Sequence, residues 1–368
     1  MCATAELPYT VYEVFTPTSS PAAFLERPEI QAAISRALAV PGRQLLVYGE
    51  TGSGKSTALT RQLDSDYLMA HCTPETTVDS LVRAALASFG IERRDELSIA
   101  LPRLAHELGT RGLRVVVEDA HRLAPSERAR LMSSMKVFSD LATEYPTLMI
   151  IAVAAIESAS TFSAFDIELS SRIAEVRVPP MTLSELEEVV RRGGELLNVA
   201  TDSIAHEIAL RSGGLPSIAH SLALSCFIHA GVAERASERS LLPSGVLGRA
   251  ILERLARMPD HIASQFESAT SRQRYRDGVS RVLTQLSLAD PAGIRISELS
   301  DAIRNDGANV STEHVPDLLD MITASSSVLK LISRDRVKFS SGQLHSYWRL
   351  LSQQPELRSM MAITEAER

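Results

Sequence analysis

The chain has 368 residues, of which 45% are hydrophobic and 23% are charged, and its formal net charge is −7. This composition is ordinary for a soluble globular protein and gives no global sign of a nucleic-acid-binding or membrane-surface protein. The length predicts two or three domains.

Cysteine usage and the termini narrow the class further. Cys2, Cys72 and Cys226 are odd in number and lack C-x-x-C spacing, which disfavours a disulfide framework or a structural zinc site. No basic residue precedes Arg27, which disfavours a secretory or transit peptide, and the longest apolar run, residues 148–156, is too short to span a bilayer. We therefore expect a cytoplasmic protein.

The first element is an N-terminal arm. Residues 1–23 are rich in Pro, Thr, Ser and Ala, and this composition predicts an extended segment. An amphipathic helix follows over residues 30–38, with Pro28 near its start, where a missing backbone N–H costs least.

Residues 44–57 predict a phosphate-binding loop. An apolar strand over residues 45–48 leads into the pattern G-x-x-x-x-G-K-[ST], which ends at Ser56, and a helix-compatible stretch follows. Glycines let backbone N–H groups approach phosphate oxygens closely, Lys55 would contact the β- and γ-phosphates, and the Ser56 hydroxyl would ligate Mg²⁺. We therefore predict an ATP and Mg²⁺ site formed by Gly49, Glu50, Thr51, Gly52, Ser53, Gly54, Lys55, Ser56 and Thr57.

A second site element follows the next predicted elements, which are a strand over 67–72 and helices over 78–89 and 99–108, the last ending at Gly109. A buried-type strand over 113–119 ends in Glu118 and Asp119. We expect this strand beside the P-loop strand, with both acids at the carboxyl edge of the sheet. Glu118 would then hold the Mg²⁺ shell, and Asp119 would orient the attacking water.

His121 follows these acids and allows two interpretations. It can contact one of the residues that bind the nucleotide without touching the nucleotide itself, or it can be a histidine of a surface loop. We favour the surface loop. A helix over 127–143 and a strand over 148–154 come next, and this strand ends in Ala154 and Ala155.

The phosphate loop and the strand-end acids resemble the Walker A and Walker B motifs of AAA+ ATPases. Many members read Asp-Glu where this chain reads Glu118-Asp119, and they often place a polar sensor residue where this chain has Ala154 and Ala155. The resemblance therefore implies ATP binding more directly than fast hydrolysis. Residues 24–30 are also similar to a segment that packs on the adenine in this class, although a plain helix start explains them equally well.

The resemblance extends into a helical lid. Residues 169–182 resemble the junction between an AAA+ core and its lid, where an arginine reaches the γ-phosphate bound by a neighbouring subunit. The resemblance makes Arg172 a candidate arginine finger. The alternative is that Arg172 is a solvated arginine at a helix end. Gly214-Leu215-Pro216 resembles the G-x-P of STAND ATPases, in which the proline packs on the adenine. Pro216 is therefore a candidate nucleotide contact.

The last hundred residues predict a winged helix. Its helices are expected over 275–288, 297–304, 312–324 and 344–351, with a two-stranded wing over 328–332 and 336–339. From Ser271 onward there are 13 Lys and Arg against 12 Asp and Glu, a net of +1, and the third helix carries three acids and no Lys or Arg. We favour a protein-binding role over DNA binding, because a groove-reading helix needs basic and amide side chains.

These elements predict an α/β fold, with a P-loop (ASCE/AAA+) parallel-sheet core, a helical lid and a C-terminal winged-helix-like domain. The expected boundaries are an arm over 1–23, a core over 24–180, a lid over 181–235, a linker and helix over 236–270, and the last domain over 271–368. Two functions stand: an ATPase (NTP phosphohydrolase) switch of the AAA+/STAND type, near the origin-recognition branch, that couples nucleotide state to self-assembly or a partner protein, or a DNA-binding loader. A small-molecule kinase fits poorly, because no acceptor pocket is apparent.

Overall fold

The computed structural model describes residues 9–16, 21–92, 95–163, 171–272, 275–306 and 315–354. The chain divides into two compact units. The sheet unit comprises residues 26–179, and the helical unit comprises residues 180–368 together with most of the segment before residue 26.

The sheet unit is built on five parallel strands. They are β1 (Gln44–Tyr48), β2 (Tyr67–His71), β3 (Arg114–Glu118), β4 (Ile150–Ala154) and β5 (Ile173–Arg177). Their order across the sheet is β2-β3-β4-β1-β5, and all pairings are parallel. The predicted parallel α/β core is confirmed.

The predicted neighbour of the P-loop strand is wrong. The strand that ends in Glu118 does not lie beside β1, because β4 separates them and pairs with both, with Tyr48 opposite Ala154 and Val117 opposite Ala152. All five residues of β4 are buried, whereas β3 begins with half-buried residues. A continuous apolar run is favoured at the sheet centre, which is covered on both faces. The acids still reach the carboxyl edge, as predicted.

Helices cover both faces of this sheet. After α1 (Val11–Phe15) of the helical unit, the sheet unit contains α2 (Pro28–Leu38), α3 (Lys55–Thr60), α4 (Val78–Ser88), α5 (Leu97–Thr110), α6 (Pro125–Asp140) and α7 (Ser160–Ser163). One core packs α2 and α3 against alternate strand residues such as Leu45 and Val47, and the other packs α4, α5 and α6 against residues such as Leu46. This alternation follows from the two-residue period of a strand.

Helix α5 continues past its predicted end at Gly109. A Cβ atom at Gly109 would lie 2.2 Å from Cγ of Tyr145, so the glycine allows close packing inside the helix. The helix ends at Thr110, and Gly112, with a φ of 67°, lets the chain turn two residues later.

The helical unit has one continuous apolar core. Its further helices are α8 (Leu183–Leu196), α9 (Asp202–Arg211), α10 (Pro216–His229), α11 (Val246–Ala256), α12 (Asp260–Thr270), α13 (Arg276–Leu288), α14 (Ile296–Asn305), α15 (Val315–Ser325) and α16 (Gly342–Ser352). A capping box opens α8: the Thr182 hydroxyl accepts from the Glu185 backbone N–H, and the Glu185 carboxylate accepts from the Thr182 backbone N–H. A short strand after α8, β6 (Val199–Ala200), pairs with β7 (Ser240–Leu241). Strand β7 lies in the segment that was expected to begin with a linker at residue 236.

The expectation of an extended N-terminal arm is wrong for Val11–Phe15. These residues form α1, which begins at a capping box between Thr10 and Glu13. Phe15 is fully buried, and its ring lies 4.9 Å from that of Phe227 on α10. The composition of the arm gave no sign of this helix, because the segment is too short to be helical alone. Burial of a single aromatic residue stabilises it. Residues 1–8 and 17–20 of the predicted arm lie outside the described residues.

The predicted lid and the C-terminal region pack directly on each other inside the helical unit. Ser346 Oγ on α16 donates to the carbonyl oxygen of Arg211, at 2.5 Å. A Cβ atom at Gly213 would lie 2.3 Å from the carbonyl oxygen of Gly342. This close backbone approach requires glycine at both positions.

The C-terminal region contains the expected helices and wing strands within three residues of their predicted ends. The wing is β9 (Leu329–Ser333) and β10 (Arg336–Phe339), and a third strand, β8 (Ile294–Arg295), pairs with the other side of β10. Two-residue strands leave no alternation to detect, so the sequence missed β8. Residues 312–314 of the predicted third helix lie outside the described residues, and the assignment as a winged helix stays a prediction. Within the described residues, every helix is too short or too polar to cross a membrane.

Candidate functional site

The phosphate loop lies at the carboxyl end of β1. Gly49, Gly52 and Gly54 all have positive φ, at 154°, 83° and 91°. Conformations with φ near 80–90° are costly for residues with a Cβ, so the loop requires glycine at Gly52 and Gly54. The helix-compatible stretch after the loop forms α3, which begins directly after Gly54, at Lys55.

Gly49 is required for a different reason. A Cβ atom at this position would lie 2.2 Å from the carbonyl oxygen of Val178, which follows β5. The Val178 backbone N–H donates to the Tyr48 carbonyl oxygen at 2.7 Å. The start of the loop is therefore fixed by the neighbouring strand as well as by its own sequence.

Lys55 lies over the loop and is buried. Its Nζ donates to the Glu50 carbonyl oxygen at 2.8 Å, and the Ser53 N–H donates to the same oxygen at 3.2 Å. Burial lowers the pKa of Lys55, while the charges of Glu118, Asp119 and Glu50 oppose that shift. The ammonium is thus held among acids, where a phosphate group would be attracted to it.

Ser56 and Glu118 connect the loop to the strand-end acids. Ser56 Oγ donates to Glu118 Oε2 at 3.1 Å. The other carboxylate oxygen, Oε1, is buried and accepts no hydrogen bond from the described residues. Burial raises the pKa of Glu118, the bond from Ser56 opposes this rise, and the charge of Asp119 adds to it. A buried carboxylate with an unpartnered oxygen is costly unless a cation or donor binds it.

Asp119 ends the strand in a left-handed conformation, with φ 56° and ψ 33°. Aspartate tolerates this region better than most residues, and the turn reverses the chain into a short 3-10 helix, Ala120–Arg122. Asp119 is half-buried, and its charge acts on Lys55, Glu118 and His121.

The rest of the predicted loop is arranged around these groups. Thr51 is exposed at the loop tip, whereas Glu50 and Thr57 are half-buried. Ser53 is buried, and its Oγ makes no hydrogen bond within the described residues.

The donor set of this site fits ATP with Mg²⁺. The groups that a magnesium nucleotide requires are present: a glycine loop before a helix, a buried ammonium, a serine hydroxyl, and a carboxylate with a buried oxygen that accepts no hydrogen bond from the described residues. When bound, Mg²⁺ would neutralise phosphate charge, and Ser56 with Glu118 would hold it. No cluster of three or more acidic, histidine or cysteine ligands occurs in the described part of the chain, so the phosphates and water would complete the shell.

Arg172 is not brought to the loop within one chain. It precedes β5, and its carbonyl oxygen accepts from the Gln44 N–H at the start of β1. The five-residue strand β1 separates this edge from the loop by about 13 Å at the usual rise per residue. Arg172 Nη1 donates to Asp140 Oδ1 at the end of α6.

Pro216 belongs to the helical unit. It is the first residue of α10, as its missing N–H favours, and it follows two glycines with positive φ, Gly213 and Gly214. The Met181 N–H donates to the Gly214 carbonyl oxygen at 2.8 Å, which ties this turn to the start of the predicted lid. A contact between Pro216 and a nucleotide stays a prediction.

Sequence reasoning underrated His121. The favoured interpretation, a surface loop, does not fit, because the ring is half-buried and Nδ1 accepts from the Ala155 N–H at 3.1 Å. The signal was its position two residues after Asp119, but only the sheet order places it against β4.

One known protein family matches the part of the chain that contains the candidate site. Residues 41–155 match the model of a family described as an AAA domain. This match spans both the phosphate loop and the strand-end acids. None of the curated proteins compared with the chain matches it.

Two solved structures share the fold over most of the chain. The Walker-type ATPase PABY2304 of Pyrococcus abyssi is 17% identical, with a TM-score of 0.52, and the match covers 89% of this chain and 96% of that one. Cdc6p from Pyrobaculum aerophilum is 14% identical, with a TM-score of 0.51 over 93% of this chain and 97% of that one. At these identities the likeness concerns the fold.

Proposed function

We propose that this protein is an ATP-binding and ATP-hydrolysing switch whose nucleotide state controls self-assembly or engagement of a partner protein. The observation that carries the proposal is the bond from Ser56 Oγ to Glu118 Oε2, beside the buried, unpartnered Oε1. This pair joins the phosphate loop to the acidic strand end across the intervening β4, where a magnesium nucleotide would bind.

Each residue has a distinct role in this proposal. Lys55 binds the β- and γ-phosphates, Ser56 and Glu118 hold Mg²⁺, and Asp119 orients the attacking water. The shorter aspartate side chain at this position makes slow or partner-stimulated turnover the expected behaviour. Arg172 lies at the opposite edge of the sheet, so its proposed contact with a γ-phosphate is to a neighbouring subunit.

The packing of the helical unit supports transmission of the nucleotide state. Helix α16 contacts the predicted lid through Ser346 and Gly342, so a lid movement would carry the C-terminal helices with it. A two-state switch needs such a coupled element, and the γ-phosphate supplies the differential binding energy. The C-terminal winged-helix-like domain would then present its surface to another copy or to a partner.

A DNA-binding loader is the second candidate, and one feature favours it. The hairpin of β9 and β10 carries Lys330, Arg334, Arg336 and Lys338. Arg336 Nη2 already donates to the Gly293 carbonyl oxygen at 2.8 Å, so part of this charge serves the fold. The remaining charges also suit an edge that resists strand pairing, which is why the protein-partner role is preferred.

The test combines nucleotide binding with assembly. We expect wild type to bind ATP with Mg²⁺ and to release phosphate, Lys55→Ala to lose binding, and Asp119→Asn to retain binding with turnover reduced about 10-fold or more. Lys330→Ala, a lysine of the helical unit, is the matched control and should bind ATP normally. Binding by Lys55→Ala equal to that of wild type contradicts the site.

Mass photometry separates the two functions. The protein is measured without nucleotide, with ADP and with ATP and Mg²⁺, each with and without a random duplex of about 60 base pairs at low salt. Assembly with ATP alone, lost in Arg172→Ala, supports the switch. Assembly that requires duplex establishes the loader instead.

A further inference from the structure

The end of β4 lies at the centre of the candidate site. In the sheet, β4 pairs with β1 on one side and with β3 on the other. The phosphate loop follows β1 and the acids end β3, so whatever lies at the carboxyl end of β4 is between them. The sequence there, Ala154-Ala155-Ile156, offers no polar side chain.

A histidine from the neighbouring strand reaches this position. The left-handed Asp119 turns the chain into the 3-10 helix, whose Ala120 is completely buried against the sheet. The turn places the His121 ring at the end of β4, where Nδ1 accepts from the Ala155 N–H at 3.1 Å.

This bond determines the protonation state of the ring. An accepting Nδ1 carries no proton, so the proton of neutral His121 is on Nε2, which is a hydrogen-bond donor. Burial lowers the pKa of His121; the charge of Asp119 opposes this, and those of Lys55, Arg122 and Arg128 add to it. None of the described residues accepts a hydrogen bond from Nε2.

We propose that His121 provides a neutral hydrogen-bond donor, Nε2–H, to the terminal phosphate of the bound nucleoside triphosphate, in place of the polar side chain that β4 lacks. The inference rests on the proposed ATP site. A donor at the end of β4, between the phosphate loop and the strand-end acids, would distinguish a triphosphate from a diphosphate, because only the triphosphate extends toward the attacking water. The Ala155 bond fixes the ring at the end of β4 and leaves Nε2 as its hydrogen-bond donor.

The alternative is that His121 only ties the 3-10 helix to β4, and two substitutions separate these roles. In His121→Asn the side-chain oxygen takes the place of Nδ1 and can accept from Ala155, but the group equivalent to Nε2 is lost. In His121→Gln the terminal amide takes the place of Nε2 and can donate, but the acceptor equivalent to Nδ1 is lost.

The experiment measures the affinities of wild type and both variants for ADP and for a non-hydrolysable ATP analogue, each with Mg²⁺, by titration calorimetry, and their turnover by phosphate release. We expect His121→Asn to bind ADP within about twofold of wild type but the analogue about 10-fold more weakly, the effect of losing one hydrogen bond to a charged group, with reduced turnover. His121→Gln should keep most of the preference for the analogue and most of the turnover.

The outcomes distinguish this inference from the proposed function. If wild type binds both nucleotides while His121→Asn keeps its preference for the analogue and His121→Gln loses it, His121 is a structural tie and the inference is overturned alone. Equal weakening of ADP and analogue binding also overturns it. If wild type binds neither nucleotide, the proposed function fails and the inference fails with it.

Discussion

Glu118→Gln should change the stability of the protein in opposite directions without and with nucleotide. In the nucleotide-free protein, Glu118 is a buried carboxylate with one hydrogen bond, from Ser56, and one unpartnered oxygen. Glutamine has the same shape and can still accept from Ser56, but it carries no charge. Burial penalises the charged form of Glu118, and the charge of Lys55 offsets only part of that penalty, so removing the charge should raise the free energy of unfolding by about 1 kcal/mol.

The gain in stability from Glu118→Gln should depend on pH. Because burial raises the pKa of Glu118, the folded protein resists ionisation, and wild type loses stability as the pH rises from the ordinary glutamate range through that raised pKa. The gain from Glu118→Gln should therefore be smallest near pH 4 and should grow as the pH rises.

With ATP and Mg²⁺ the effect reverses. A ligand at 100 times its Kd stabilises wild type by about 2.7 kcal/mol. Loss of a group that holds or orients a metal ligand lowers metal affinity about 10- to 100-fold, so the same ATP concentration should stabilise the variant by only about 0.4 to 1.4 kcal/mol.

Urea denaturation at pH 8, with and without ATP and Mg²⁺, measures both effects. Glu175→Gln is the control, because Glu175 is an exposed carboxylate on β5 of the same sheet, and both of its changes should stay within about 0.5 kcal/mol. A Glu118→Gln protein that is less stable than wild type without nucleotide, and equally stabilised by ATP, would refute the argument.

Two further predictions concern the helical unit. Gly193→Ala should lower the free energy of unfolding, measured by urea denaturation, by about 1 to 3 kcal/mol, since the new Cβ would lie 2.2 Å from Phe15 Cζ. Gly248 is an exposed helical glycine with open space around it, so Gly248→Ala should instead raise the free energy of unfolding by about 0.5 to 1 kcal/mol. Equal effects of the two substitutions would contradict the packing of α1 against Gly193. Burial lowers the pKa of His220 to about 4, so the unfolded chain binds a proton between pH 6.5 and 4 that the folded chain does not, and the free energy of unfolding should fall by about 3 kcal/mol over that range. His220→Leu should reduce this loss by about the same amount, and an unchanged pH slope would show that the folded protein protonates His220.

Local signals in the sequence were sufficient for most of the elements. The glycine loop, the strand-end acids and the capping box at Thr182 each depend on residues a few positions apart, so their chemistry is written in short stretches. Element type was predicted correctly for β1, β3 and β4, because continuous runs of Val, Ile and Leu are typical of a covered parallel sheet. The short helix α1 and the two-residue strand β8 escaped, because neither is long enough to show a period.

The sequence by itself determined which residues can bind a phosphate group and which can hold a metal ion, since those properties belong to the residue types and their spacing. Only the tertiary structure decided which of them meet. The insertion of β4 between β1 and β3 is a choice among strand orders that no single strand encodes, because it depends on which apolar run is buried most completely at the centre of the sheet. That choice leaves Ser56 within hydrogen-bond distance of Glu118 and brings His121 to the end of a strand that lacks a polar side chain of its own.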